Sequence, residues 1–190
     1  MTCIIAIKNS DGSITLGGDK AASTEYDSRI TTMPKIFKVG DFYFGYTTSF
    51  FMGQILQYGF TPPTRPVGIS DQEYLFIHVR NELTKLFERE KFGVRYENSI
   101  EKLCGTFILV YRGRVYEVLS NMAMLEYVDA VTVVGSGVHC ALGAIYSIQQ
   151  NVPDLPAEQI IRSALRSCSM VLTSVSEECD IIHIPPTVAG

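Results

Sequence analysis

Met1-Thr2-Cys3-Ile4-Ile5-Ala6-Ile7, Gly17-Gly18-Asp19 and Pro34-Lys35-Ile36 are the segments on which the reading of this chain turns. A small residue after the initiator marks Met1 for removal by methionine aminopeptidase, so the mature chain is expected to begin at Thr2 with a free α-amine. That places a hydroxyl nucleophile and a base on one residue, one of the few ways a hydroxyl is activated without histidine. An α-amine titrates near pKa ~7.7–8.0, close to working pH. A neighbouring lysine cation depresses it further, and a carboxylate beside that lysine keeps the lysine protonated. Asp19 and Lys35, sixteen residues apart, are the candidates for those two parts. With Met1 retained, Thr2 has no free amine. Cys3 follows Thr2, but successive side chains along a strand point to opposite faces, so a second nucleophile there is not expected.

Outward from this stretch, residues 3–7 and 13–17 read as strands joined at the turn signal Asp11-Gly12, and 36–39 and 42–46 as a second hairpin around Gly40-Asp41. The two hairpins are expected to share one sheet. Residues 50–58 read as a helix that the Pro-rich stretch 61–68 breaks off. Ser70-Asp71-Gln72-Glu73 has the outline of a capping box and opens an amphipathic helix to about residue 91, with Phe76, Val79, Leu83, Leu86 and Phe87 on one face. Residues 92–100 read as irregular, and 106–111 with 114–119 as a third hairpin. A short strand at 130–134 ends at Gly135-Ser136-Gly137, where Ser136 also suits a helix N-cap. Helices follow at 140–150 and from 157 to about 172, and a strand at 180–184. Grouped strands and grouped helices argue against a parallel βαβ core and for antiparallel sheets layered with helices.

With 190 residues, 46 % of them apolar, one domain is expected with enough material for a proper core. A net charge of −4 without Lys/Arg runs argues against a nucleic-acid partner. No apolar run approaches the roughly 20 residues that span a bilayer, and the run at 2–7 is too short for a secretion signal, so neither membrane nor export is expected. Cys3, Cys104, Cys140, Cys168 and Cys179 show no CxxC spacing, which fits reduced thiols in a cytoplasmic protein. His78, His139 and His183 form no HExxH motif, so neither metal nor cofactor is expected.

Thr2-Cys3-Ile4-Ile5, the Gly-Gly-Asp strand end and the lysine sixteen residues on resemble, in order and spacing, the proteasome β-subunit and its bacterial relative HslV. The segment from Gly17 to Ser23 is similar to the HslV pattern, and that from Pro34 to Val39 to the proteasome one. Gly135-Ser136-Gly137, followed by Ala141-Leu142-Gly143, resembles the second signature of these proteins, a Gly-Ser-Gly turn opening a helix. The resemblance covers the whole chain. It implies an α+β fold, a four-layer αββα sandwich of the N-terminal-nucleophile hydrolase superfamily, and a threonine endopeptidase. It further implies homo-oligomeric rings, unfolded polypeptide as substrate and an ATP-dependent unfoldase as partner. The residues it implicates are Thr2 as nucleophile, Asp19 and Lys35 beside it, Ser136 on the threonine amine, and the Thr48 N–H as oxyanion donor.

Two departures stand out. Thr48, in Thr47-Thr48-Ser49, falls where these proteins carry a glycine; its backbone donor survives, but a β-branched side chain narrows the approach of substrate. The aspartate they place near the amine after the last long helix is missing from Ser167–Ser174, and Ser169 is matched to it. A catalytically silent ring or scaffold subunit, or an amidohydrolase acting on small amides, therefore remain as alternatives.

Overall fold

Alternation along the first strand decides the layering: Cys3, Ile5 and Ile7 join one buried cluster, whereas Ile4 and Ala6 join another. The computed structural model describes residues 2–24, 27–96, 99–102 and 105–187; Met1, on which the expected processing turns, and Cys104 lie outside them. In chain order, β1 (Cys3–Lys8), β2 (Ile14–Asp19), β3 (Ala21–Ser23), β4 (Ser28–Ile30), β5 (Ile36–Val39) and β6 (Phe42–Tyr46) lead into helix α1 (Phe50–Gln54), which continues as a π-helical turn (Ile55–Gly59). A second helical arm runs through α2 (Asp71–Glu73), a π-helical segment (Tyr74–Val79) and α3 (Arg80–Arg89). Then come β7 (Val94–Tyr96), β8 (Ser99–Lys102), β9 (Phe107–Tyr111), β10 (Arg114–Val118), β11 (Met124–Leu125) and β12 (Val131–Gly135). Helices α4 (Val138–Asn151) and α5 (Ala157–Ser169) precede β13 (Cys179–Ile184).

Two antiparallel sheets form the centre, with strand orders β12-β1-β2-β13 and β11-β10-β9-β6-β5. Ile4, Ala6, Leu16 and Val134 of the first sheet meet Ile36, Ile108, Val110 and Val115 of the second. On the outer face of the first sheet, Cys3, Ile5, Ile7, Val131 and Val133 pack against Ala141 and Ile145 of α4 and Ile160, Ile161, Ala164, Leu165 and Cys168 of α5. On the outer face of the second, Phe42, Phe44, Tyr46, Phe107 and Tyr116 pack against Met52, Leu56, Leu75, Val79, Leu83 and Phe87. Apolar faces turned alternately to a sheet and to a helix layer make a four-layer αββα sandwich, the fold class expected.

The Gly17-Gly18 pair is what lets the layers close. A Cβ at Gly17 would lie 2.4 Å from Ile161 Cγ2 of α5, and one at Gly18 would lie 2.9 Å from Ile36 Cγ2 of the facing sheet, so a side chain at either would push a layer away.

Three expectations need correction. The two N-terminal hairpins do not share a sheet: β1 and β2 sit in one, β5 and β6 in the other. The small β3–β4 pair lies between them in sequence and carries the chain across; its short, half-exposed strands have no apolar alternation that the sequence displays. The stretch read as irregular holds the β7–β8 hairpin, although 97 and 98 lie outside the described residues. Finally, α5 stops at Ser169, and the chain to β13 is a run of turns.

Candidate active site

Asp19 ends β2 and Lys35 immediately precedes β5, so each is delivered by the mouth of a different sheet. Both side chains are essentially inaccessible, at 0 % and 1 % exposure. Lys35 Nζ donates to both carboxylate oxygens of Asp19, at 3.1 and 3.0 Å. The same carboxylate accepts from the backbone N–H groups of Cys3 (2.8 Å), Ala21 (2.9 Å) and Ser176 (3.4 Å). Burial of the Lys35 cation pulls its pKa below the ordinary lysine value, against the opposing attraction and hydrogen bonds of Asp19. The Cys3 bond ties the pair to the peptide unit next to Thr2, which is itself buried.

The other wall of the site is the end of β12. Gly135 lies opposite Cys3 in the β1–β12 register and has φ +103°; a Cβ there would lie 2.1 Å from the Thr2 carbonyl oxygen, so the close approach of the two strand ends demands glycine. The next residue, Ser136, accepts from the Thr2 backbone N–H at 3.3 Å and donates to the Thr2 carbonyl at 3.4 Å. Its hydroxyl also shares a hydrogen bond of 3.1 Å with Ser174 Oγ. The N-cap of α4 is Gly137, which has no side-chain cap, so Ser136 is spent on Thr2 rather than on the helix.

Thr48 has φ 68°, in the left-handed region that glycine tolerates and β-branched residues rarely enter. The turn is locked around it. Thr47 Oγ1 donates to the Thr106 carbonyl at 2.7 Å and shares a hydrogen bond of 3.2 Å with Thr48 Oγ1, while Ser49 caps α1 by accepting from Met52 N–H at 3.3 Å. Thr47 Cγ2 lies 3.2 Å from the Cβ position at Gly135, which sets this turn beside Thr2. Phe50 comes next, its ring centroid 6.0 Å from Lys35 Nζ and packed edge-on to Tyr46 at 6.2 Å. Burial, assisted by the field of Asp19, pushes the Tyr46 hydroxyl up to about 12.

Thr2, Asp19, Lys35 and Ser136, spread over 135 positions of sequence, are thus brought into one hydrogen-bonded cluster, with Thr48 adjacent. Ser169 is not brought in. Its hydroxyl donates to the Arg166 carbonyl at 2.8 Å, within the last turn of α5. Buried Cys168 claims the face of α5 that looks at the sheet, and one residue along a helix turns a side chain by about 100°. Ser174 and Ser176, five and seven positions later, return to the site instead, one to Ser136 and one to Asp19. Neither carries a spacing signal, because an irregular turn sets their position. Among the described residues no group of three or more His, Cys, Asp or Glu side chains is placed to hold a metal ion, and no helix is long and apolar enough to cross a membrane.

Two face-to-face antiparallel sheets between helix layers give this chain the four-layer αββα fold seen in HslV-type structures. No protein-family model matches the sequence, and no curated protein sequence matches it. Solved structures do match. BPH of Thiobacillus denitrificans superimposes with TM-score 0.78 at 20 % identity, over 96 % of this chain and 97 % of that one. The same protein in complex with epoxomicin gives TM-score 0.78 and 20 % identity, over 96 % and 98 %. Eukaryotic HslV from Trypanosoma brucei gives TM-score 0.66 and 17 % identity, over 96 % and 99 %. At these identities the likeness establishes the fold and that the resemblance spans nearly the whole chain.

Proposed function

We propose that this chain is a threonine-type peptidase subunit, with Thr2 as nucleophile once Met1 is removed. The observation that carries the reading is the pair of hydrogen-bond sets converging on one residue: Asp19–Lys35 on the peptide after Thr2, and Ser136–Ser174 on its nitrogen. In this mechanism the free amine takes the proton from Thr2 Oγ1, directly or through a water, as the oxygen attacks a peptide carbonyl. The buried Lys35 cation disfavours a protonated amine nearby and so keeps the base available. Ser136, steadied by Ser174, orients the amine. The Thr48 N–H, which donates to no protein acceptor among the described residues, stabilises the developing oxyanion. Return of the proton to the leaving amine gives a Thr2 ester, which water hydrolyses with the same amine as base.

In keeping with the fold, the subunit assembles into homo-oligomeric rings in the cytoplasm, acts on unfolded polypeptide, and takes that substrate from a separate ATP-dependent unfoldase. The reading is tested by the mass of the intact N-terminus together with epoxomicin treatment, chosen because a protein of the same fold has been solved with it. Loss of Met1, an epoxomicin adduct on the peptide beginning at Thr2, and fluorogenic-peptide turnover that vanishes in Thr2→Ala are expected; Cys3→Ala leaves turnover nearly unchanged. A second reading, a silent scaffold subunit, is favoured by the Thr48 side chain and by the pairing of Ser136 with Ser174 rather than with a carboxylate among the described residues. Retention of Met1, or a Met1-free protein with neither adduct nor turnover, selects it.

A further inference from the structure

Three of the five cysteines meet where β1 packs on the last helix pair: Cys3 on β1, Cys140 in the first turn of α4 and Cys168 in the last turn of α5. Cys3 and Cys168 are fully buried, whereas Cys140 is partly open to solvent. The Cys168 thiol donates to the Gly137 carbonyl at 3.7 Å and packs in one buried cluster with Cys3, with Cys140 packed against it. Gly137 keeps the space between strand and helix clear. A Cβ there would lie 2.7 Å from Cys3 Sγ and 3.6 Å from Cys168 Sγ, so the two sulfurs flank a position that any larger residue would fill. None of these thiols has a part in the Thr2 mechanism.

We propose that Cys168 and Cys3 form a redox-modification site, in which a small hydroperoxide oxidises Cys168 and Cys3 resolves the product to a disulfide linking α5 to β1. The Cys168 thiolate attacks the peroxide oxygen and breaks the O–O bond, giving a sulfenic acid and, for hydrogen peroxide, hydroxide. The Cys3 sulfur then attacks the sulfenic sulfur. The S–S bond forms as the S–O bond breaks, the sulfenic hydroxyl leaves with the Cys3 proton as water, and the proton that Cys168 lost on ionising neutralises the hydroxide released in the first step. Overall, two thiols and one hydrogen peroxide give one disulfide and two waters. Solvent reaches the cluster beside the partly exposed Cys140; the neighbouring Cys3 thiol, against the opposing effect of burial and with a smaller contribution from Cys140, pulls the Cys168 thiol down to about 7, so that much of it is thiolate at neutral pH. Cys3 and Cys140 are pushed the other way, Cys3 by the neighbouring Cys168 and Cys140 by burial. One reactive thiolate and a resolving thiol thus sit side by side. Cys179, half-buried on β13 and bonded to Arg162 at 3.3 Å, is the internal control, since burial raises its pKa.

The test treats the reduced full chain with graded hydrogen peroxide, blocks remaining thiols with N-ethylmaleimide in denaturant, and maps peptides without reduction. A Cys3–Cys168 cross-link, lighter by two hydrogens and reversed by dithiothreitol, is expected before Cys179 is touched. Its rate rises about tenfold between pH 6 and pH 8, following the thiolate of Cys168. In Cys3→Ala the cross-link is lost and dimedone traps a sulfenic acid on Cys168. Cys168 that stays fully alkylatable while Cys179 oxidises, or a Cys140–Cys168 cross-link in place of Cys3–Cys168, overturns the proposal. The wild-type map stands without the variant and needs no peptidase activity.

Discussion

Replacing Lys35 with methionine tests the core of the site. Methionine fills most of the volume of the lysine stem but removes two charge-assisted hydrogen bonds and leaves the Asp19 carboxylate buried without its counter-charge. Breaking a buried pair from one side typically costs about 3–5 kcal/mol, because the surviving charge stays desolvated. Three backbone N–H groups remain on Asp19, so the lower end, about 3 kcal/mol, is the expectation here. For a chain of 190 residues that corresponds to a fall in melting temperature of roughly 6–12 °C. In a cycle with Asp19→Asn, the double variant should be less destabilised than the sum of the singles by about 2 kcal/mol, since the two groups share one interaction. Thermal unfolding followed by circular dichroism, at fixed protein concentration, measures all four proteins. A Lys35→Met protein that melts within a degree or two of wild type, with a native spectrum, would refute the buried pair and with it the electrostatic argument for Thr2. Loss of cleavage on changing Lys35 must therefore be corrected for lost fold before it is assigned to chemistry.

Gly135→Ala should cost at least about 2 kcal/mol from positive φ and the contact with the Thr2 carbonyl, and should depress peptide turnover beyond the loss of folded protein; native stability in a urea titration would count against the geometry. Thr48→Gly should leave stability within about 1 kcal/mol, because relief of left-handed backbone offsets the added freedom of the unfolded chain, and should raise turnover of peptides with bulky side chains; slower turnover would show that the Thr48 side chain does not obstruct substrate. Glu158, held below its ordinary pKa by hydrogen bonds from Arg162 and then His183, contributes stability that is present above its unfolded pKa and lost as pH falls through the lower folded value. Melting curves of Glu158→Gln should accordingly lie below wild type at neutral pH and converge with it in acid.

Local chemistry carried much of the fold into view before any coordinates. The short apolar runs at residues 3–7 and 42–46, the Asp-Gly turn and the capping box at Ser70 act over a few residues, and each recurs in the structure where its pattern stands. Thr2, Asp19, Lys35 and Ser136 stood out only together, through an order and spacing that resemble the proteasome β-subunit and HslV, and it is the fold that brings them within hydrogen-bond distance. Which hairpin joins which sheet was not legible: β2 and β5 face each other across the sandwich through contacts at Gly18 and Ile36, and nothing local distinguishes that from pairing side by side. Ser174 and Ser176 reach the site on a turn whose path is set by the docking of α5 and β13, and the Cys3–Cys168 contact exists only because that helix lies on that strand. A serine or a thiol has no intrinsic partner, so its role is decided by what long-range packing brings within hydrogen-bond distance.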